Sequence, residues 1–394
     1  MKILTRNFLI SKFREYYLST SLDLPPGFES REWGFILFDD VGMRRHKSYL
    51  NRSEITDYVR SMVPAHLYHS AAYYKRPAAP TMKEKEWQGA DLIFDLDADH
   101  LRKAPKSYSE MLDLVKKETL KLLAFLTTDF GFSERNISVV FSGGRGYHIH
   151  VRDPKVKTLG SDERREILDY LTFRGADIDR LFIKKVVSGD IGTKRAIALR
   201  CPPEGSPGWG GRLNQAIIQF AENIRNLDDE SAIKRLTEIR GIGDVRAAEF
   251  LKYFKADQTL NDIREGNLDA FKSSSRLMRL AIGHIVESAV QGLGGETDEP
   301  VTADIRRLIR CPGSLHGGSG FRVTPLNLKS LESFEPLMDA VIFGDEPVQV
   351  EMIKPFSTEI RGESYKLGEG RAEVPACAAV FLMARGVAEL GQSF

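Results

Sequence analysis

The spacing of apolar positions divides the chain into segments of two different periods. Residues 1–20 (MKILTRNFLISKFREYYLST) carry charges between apolar positions at helical spacing and predict an amphipathic helix packed on the body of the protein. Residues 31–50 alternate apolar and polar positions around Gly42, the pattern of a hairpin, and 51–67 predict a helix capped by Asn51 or Ser53. The polar, Pro-containing stretch 68–87 reads as a loop. Strands are predicted at 90–97 (ADLIFDLD), 137–141 (ISVVF) and 147–151 (YHIHV), with a charged helix at 108–130 and the glycine turn SGGRG joining the last two strands. Residues 161–187 read as helical, CPPEGSPGWGGR at 201–212 breaks the pattern, and 213–290 read as almost entirely helical. A loop at 291–300, a helix at 301–310, the loop PGSLHGGSG, a strand at 321–326 and a helix at 375–390 complete the chain.

Strands on both sides of the helical block make that block an insertion, so the predicted class is α+β. A discontinuous, mixed-sheet core would comprise 1–212 and 291–345, with a helical subdomain at 213–290 and a tail, 346–394, packing on the core.

Composition narrows this picture only a little. With 42% hydrophobic and 28% charged residues the chain is globular rather than disordered. A net charge of +1 neither points to nucleic acid nor excludes it, because binding needs only a local basic surface. No apolar run approaches the roughly 20 residues that span a bilayer, and the charged N-terminal stretch is no export signal, so no membrane association and a cytoplasmic location are expected. Cys201, Cys311 and Cys377 lie far apart and form no CxxC pair, which predicts neither a disulfide framework nor a structural zinc site.

Three segments carry chemistry. In LIFDLD, Asp95 and Asp97 stand two residues apart and share a strand face, with Leu92, Phe94 and Leu96 on the other. Adjacent carboxylates repel unless a cation lies between them, and paired divalent ions held by carboxylates suit nucleotidyl transfer. In SGGRGYHIH, glycine backbone can cradle phosphate, while Ser142, Arg145 and His148 supply a hydroxyl, a guanidinium fork and an imidazole suited to a triphosphate. In ETDEPVTADIRRLIRCPGSLHGGSGFRV, Asp298 or Asp304 could add a third carboxylate. Arg306, Arg307 and Arg310 would make the predicted helix basic, with Ser314 and His316 in the loop after it.

FDLD, SGGRGYHIHV and a downstream Asp with IRCPGSLHG, in this order, resemble the small subunit of archaeal and eukaryotic DNA primases. REWGFILFDDVGMRRHKSY and VPACAAVFLMARGVAEL extend the resemblance to both ends of the chain. It implies a metal-dependent nucleotidyltransferase making short primers on single-stranded DNA, RNA primers with DNA left open. Asp95, Asp97 and Asp298, rather than Asp304, would bind two Mg²⁺ or Mn²⁺ ions. Ser142, Arg145, His148, Arg310 and His316 would hold the incoming NTP or dNTP, with Arg31 a weaker candidate. The implied partner is the primase large subunit, in a heterodimer, which would carry any iron–sulfur cluster.

Two departures stand out. Many relatives carry a zinc knuckle between the first two motifs, but residues 98–136 contain no cysteine and only His100, so no zinc is expected. Relatives often read SLHGKTG; Gly318 replaces that lysine, and Arg322 is a candidate to compensate. EIRGIGDVRAAEFL at 238–251 resembles a helix-hairpin-helix turn, but an ordinary glycine-containing interhelical turn is the favoured reading. The rival readings are a primer-dependent repair polymerase of the same superfamily, a non-catalytic DNA-binding subunit, and a metal-dependent nuclease.

Overall fold

The computed structural model describes residues 1–100, 107–177, 180, 182–188, 196–268, 282–285 and 299–391. Two compact units emerge, one of residues 1–123, 132–168 and 296–394, the other of 124–131 and 169–295. In chain order the elements are α1 (Ile3–Ser19), β1 (Trp33–Ile36), β2 (Arg44–Lys47), α2 (Arg52–Met62), β3 (His66–Ser70), β4 (Ala72–Tyr74), α3 (Met82–Lys85), β5 (Trp87–Ala90), β6 (Leu92–Asp97), α4 (Tyr108–Ala124), β7 (Ile137–Phe141), β8 (Gly146–Val151) and α5 (Ser161–Thr172). The second unit continues with β9 (Ile183–Ser188), β10 (Ala196–Arg200), α6 (Gly208–Asn226), α7 (Asp229–Thr237), α8 (Asp244–Lys255) and α9 (Asp257–Arg264). The chain then returns through α10 (Glu299–Ala303), β11 (Leu308–Arg310), β12 (Thr324–Leu326), α11 (Pro336–Asp339), β13 (Pro347–Met352), β14 (Phe356–Ile360), β15 (Glu363–Leu367), β16 (Gly370–Pro375), α12 (Ala376–Ala384) and β17 (Ala388–Leu390).

Two four-stranded sheets position the site. One runs β12-β7-β8-β6 and the other β11-β3-β1-β2. Ala71, Ile93 and Ile309 pack together, which brings β6 beside β11. Along β6, Leu92, Phe94 and Leu96 are buried, each contributing about 1.5–3 kcal/mol of hydrophobic stabilisation, and this fixes which face the two aspartates occupy. The α+β class holds, while strand pairing among the described residues is antiparallel throughout rather than mixed in direction.

Several elements differ from those predicted. The expected loop at 68–87 instead contains β4, α3 and part of β5, and β3 extends into it. His69 and Ser70 are buried there, so polar residues occupy core positions of a strand. The expected helix at 301–310 stops at Ala303. The Asp304 carboxylate accepts from the backbone N–H of Arg306 at 2.8 Å, a turn that competes with helix continuation, and the next residues pair as β11 with β3. Within 161–187, α5 gives way at Phe173, whose φ is +58°, before the Ile- and Val-containing β9. The segment 347–375 forms four strands. The predicted C-terminal helix at 375–390 is α12 followed by β17.

Helices α6 to α9 surround a core that includes Leu213, Ile217, Phe250, Phe254 and Ile263. In the 238–251 turn Gly241 has φ +92° and Ile242 is buried, so packing of α7 against α8 accounts for the pattern. Among the described residues no helix is long and apolar enough to cross a membrane.

Candidate active site

A cavity of about 410 Å³ in the first unit collects Asp95, Asp97, Ser142, Arg145, His148, Arg310 and His316. Strand register explains most of this convergence. In the β6–β8 pair Asp95 stands opposite His148 and Asp97 opposite Gly146. In the β11–β3 pair Arg310 stands opposite Tyr68, which also lines the cavity.

The glycine turn is shaped by close approach. A Cβ on Gly146 would lie 2.1 Å from the Leu96 carbonyl oxygen, so only glycine lets β8 meet the end of β6. Gly143, at φ +74°, would place a Cβ 2.8 Å from the His316 Cβ, so the SGGRG turn also abuts the SLHG loop. Ser142 Oγ accepts from the backbone N–H groups of Gly144 and Gly146, both at 3.3 Å, and its own proton remains a donor. The Tyr108 hydroxyl donates to the Gly144 carbonyl, holding the turn from its other side.

The cations are preorganised. Arg145 donates to the Asp99 carboxylate through both terminal nitrogens, one at 2.7 Å, and lies 3.6 Å from Asp97. Arg310 donates to His66 Nδ1 at 2.6 Å and stands 5.1 Å from the Tyr68 ring centroid. His66 Nδ1 also accepts from Gly317 N–H, and His316 Nδ1 accepts from Gly318 N–H at 3.1 Å. Both rings therefore carry their proton on Nε2, an assignment from the hydrogen-bond pattern.

Burial first, and then the Arg310 charge, pushes the His148 imidazole down to about 3. The same two causes bring His66 to about 3 and His316 well below its ordinary value. These rings are neutral hydrogen-bonding groups at physiological pH. His148 Nε2 lies 3.5 Å from Asp95.

Asp95 and Asp97, partly exposed on one strand face, form an oxygen-only donor set of the kind that hard divalent cations prefer, so the residues fit Mg²⁺ or Mn²⁺. Asp298, the third acid of the expected set, lies outside the described residues; α10, which follows it, packs against β6. Among the described residues no three His, Cys, Asp or Glu side chains converge to hold an ion. Asp304 is exposed and does not line the cavity.

Two sequence candidates fall elsewhere. Arg31 is fully buried and donates to the carbonyls of Pro26, Ser70 and Ala71, to Tyr73 and to Asp91, as a structural clamp away from the cavity. Arg322 pairs with Asp23 at 3.0 Å and lines no part of the cavity. In their place the structure brings Tyr68, Arg307 and Arg385 to the cavity wall. Tyr68 lies in no motif, and Arg385 lies in VPACAAVFLMARGVAEL without an assigned role, since the places of both depend on pairing and packing over long sequence separations.

Residues 94–328 match a family model described as DNA primase small subunit. The chain is 57% identical over 395 residues to the DNA primase small subunit PriS of Methanothrix thermoacetophila, covering 99% of this chain and 100% of the relative. It is 48% identical over 394 residues to that of Methanococcoides burtonii, covering 99% and 100%, and 46% identical over 400 residues to that of Methanocella arvoryzae, covering 98% of each.

Proposed function

The chain belongs to the DNA primase small-subunit family, and on that premise we propose that it is the catalytic subunit of a primase, joining nucleotides on a single-stranded DNA template with release of pyrophosphate. The observation that carries this reading is the gathering of two same-face carboxylates with Arg145, Arg310 and His316 around one cavity of about 410 Å³.

Asp95, Asp97 and Asp298 would hold two Mg²⁺ or Mn²⁺ ions. When bound, these ions lower the pKa of the attacking 3′-hydroxyl and neutralise the leaving pyrophosphate. The chain's own groups do the remaining work. The Ser142 hydroxyl, at the glycine turn, would orient the phosphates. Arg145 and Arg310 offer paired N–H donors to phosphate oxygens. His316, and His148 behind Asp95, add neutral donors, so charge developing on the departing oxygens meets dipoles already in place.

Ribonucleotides are the proposed substrates for RNA primers, with deoxyribonucleotides the alternative. The relatives' designation as small subunits supports a heterodimer with a larger primase chain, and a role in DNA replication supports a cytoplasmic location for both. Asp95→Ala tests the metal assignment. It is expected to abolish nucleotide incorporation while leaving thermal unfolding essentially unchanged; a folded variant that still makes product would sink the assignment.

A further inference from the structure

The cavity contains one cation that none of the three motif segments supplies. Arg385 is the residue on which α12 ends, and it lines the cavity together with Gly144, His316 and Gly318. Its guanidinium carbon lies 4.4 Å from the ring centroid of Tyr108 and 4.9 Å from that of Phe381. Tyr108 is the residue whose hydroxyl holds the Gly144 carbonyl, so one ring supports both the glycine turn and the cation. Phe381 stacks on Phe321 from the loop after His316, with centroids 5.1 Å apart and planes within 16°. Three distant parts of the chain thus build an aromatic platform under a single guanidinium.

Two of the other guanidiniums on this wall are held by side chains, Arg145 by Asp99 and Arg310 by His66, while Arg307 is exposed and rests on no aromatic ring among the described residues. Among the described residues no carboxylate pairs with Arg385, and its buried Nε has no hydrogen-bond partner. A guanidinium resting against aromatic rings can still offer N–H groups to an anion. Gly318 supplies no side chain on the same wall, which leaves room for one. The reacting α-phosphate must sit by Asp95 and Asp97, so the β- and γ-phosphates extend away from them, along the wall built by the glycine turn and His316.

We propose that Arg385 is a phosphate-binding residue for the β,γ end of the incoming triphosphate, with Tyr108 as its positioning residue. This rests on the triphosphate reading of the cavity and adds to it a contact from the C-terminal segment. The test uses the full chain with Mg²⁺, titrated with a fluorescent ATP analogue and competed with ATP and with AMP. Arg385→Ala is expected to weaken ATP by about 10- to 100-fold while AMP, which lacks the outer phosphates, changes less than about twofold. Arg385→Lys should recover much of the loss through its point charge. Tyr108→Leu should weaken ATP by about three- to tenfold, and Tyr108→Phe, which keeps the ring under the cation but loses the hydroxyl's bond to the Gly144 carbonyl, should recover part of that loss. An unchanged AMP affinity in each variant reports an intact pocket. If Arg385→Ala leaves the ATP-to-AMP preference of the unsubstituted protein intact, Arg385 does not bind the outer phosphates. If the unsubstituted protein has no such preference, the triphosphate reading fails and this contact fails with it.

Discussion

Replacing Arg310 by alanine removes a guanidinium held from two sides, by His66 Nδ1 at 2.6 Å and by the Tyr68 ring at 5.1 Å. Hydrogen bonds between a guanidinium and a phosphate are worth about 1.5–3 kcal/mol. At about 1.4 kcal/mol per decade, the alanine variant should bind triphosphate roughly 10- to 150-fold more weakly. Ile309 and Cys311, the buried neighbours, are untouched, so β11 should persist. Lysine keeps the charge without the planar fork and should lose about tenfold or less. ATP titration, with kcat/KM for incorporation alongside, measures the effect. A folded alanine variant that binds ATP within about twofold of the unsubstituted protein would refute the reasoning.

Acid should destabilise the fold. His66, His69, His148, His150 and His316 are all pushed below their ordinary value, first by burial. Each takes up a proton near 6.5 when unfolded but not in the folded chain, so its contribution is complete above about pH 6.5 and falls toward the folded value. The loss is at most about 1.4 kcal/mol per pH unit for each histidine. Urea midpoints at about pH 7.5 and 5.5 should differ markedly, and equal midpoints would contradict the neutral-histidine assignment. Arg31→Ala leaves the buried Asp91 without one of its two guanidinium partners, Arg152 being the other, and should cost about 3–5 kcal/mol in denaturation. Where the variant remains folded its ATP affinity should be unchanged, because Arg31 lies outside the cavity.

Short-range pattern made much of this site legible. The alternation in LIFDLD fixed the face of Asp95 and Asp97, and the same parity placed His148 and His150 on one face of β8. Asn51 caps α2 as its sequence predicts, accepting from Glu54 N–H at 3.0 Å. The errors arose where buried residues are not apolar or where pairing is distant. HLYHS looks polar, yet His69 and Ser70 are fully buried in β3. Val301, Ile305 and Leu308 have helical spacing, but β11 gains its partner in a strand more than two hundred residues earlier. Alternation in PVQVEM is a legible strand pattern, with Val348, Val350 and Met352 as its buried face. Arg31 and Arg322 illustrate the limit of composition: a guanidinium near a motif is as readily a clamp on carbonyls or a surface partner as a phosphate ligand.

The most direct test of catalysis by this cavity is synthesis on single-stranded DNA by the purified chain, with labelled nucleotides and Mg²⁺ or Mn²⁺, run with and without an annealed primer. The account predicts short products on bare template, absent in Asp95→Ala. Product formed only from an annealed primer would contradict the initiating role and point to a primer-dependent polymerase, and equal product from the Asp95→Ala variant would contradict the site itself.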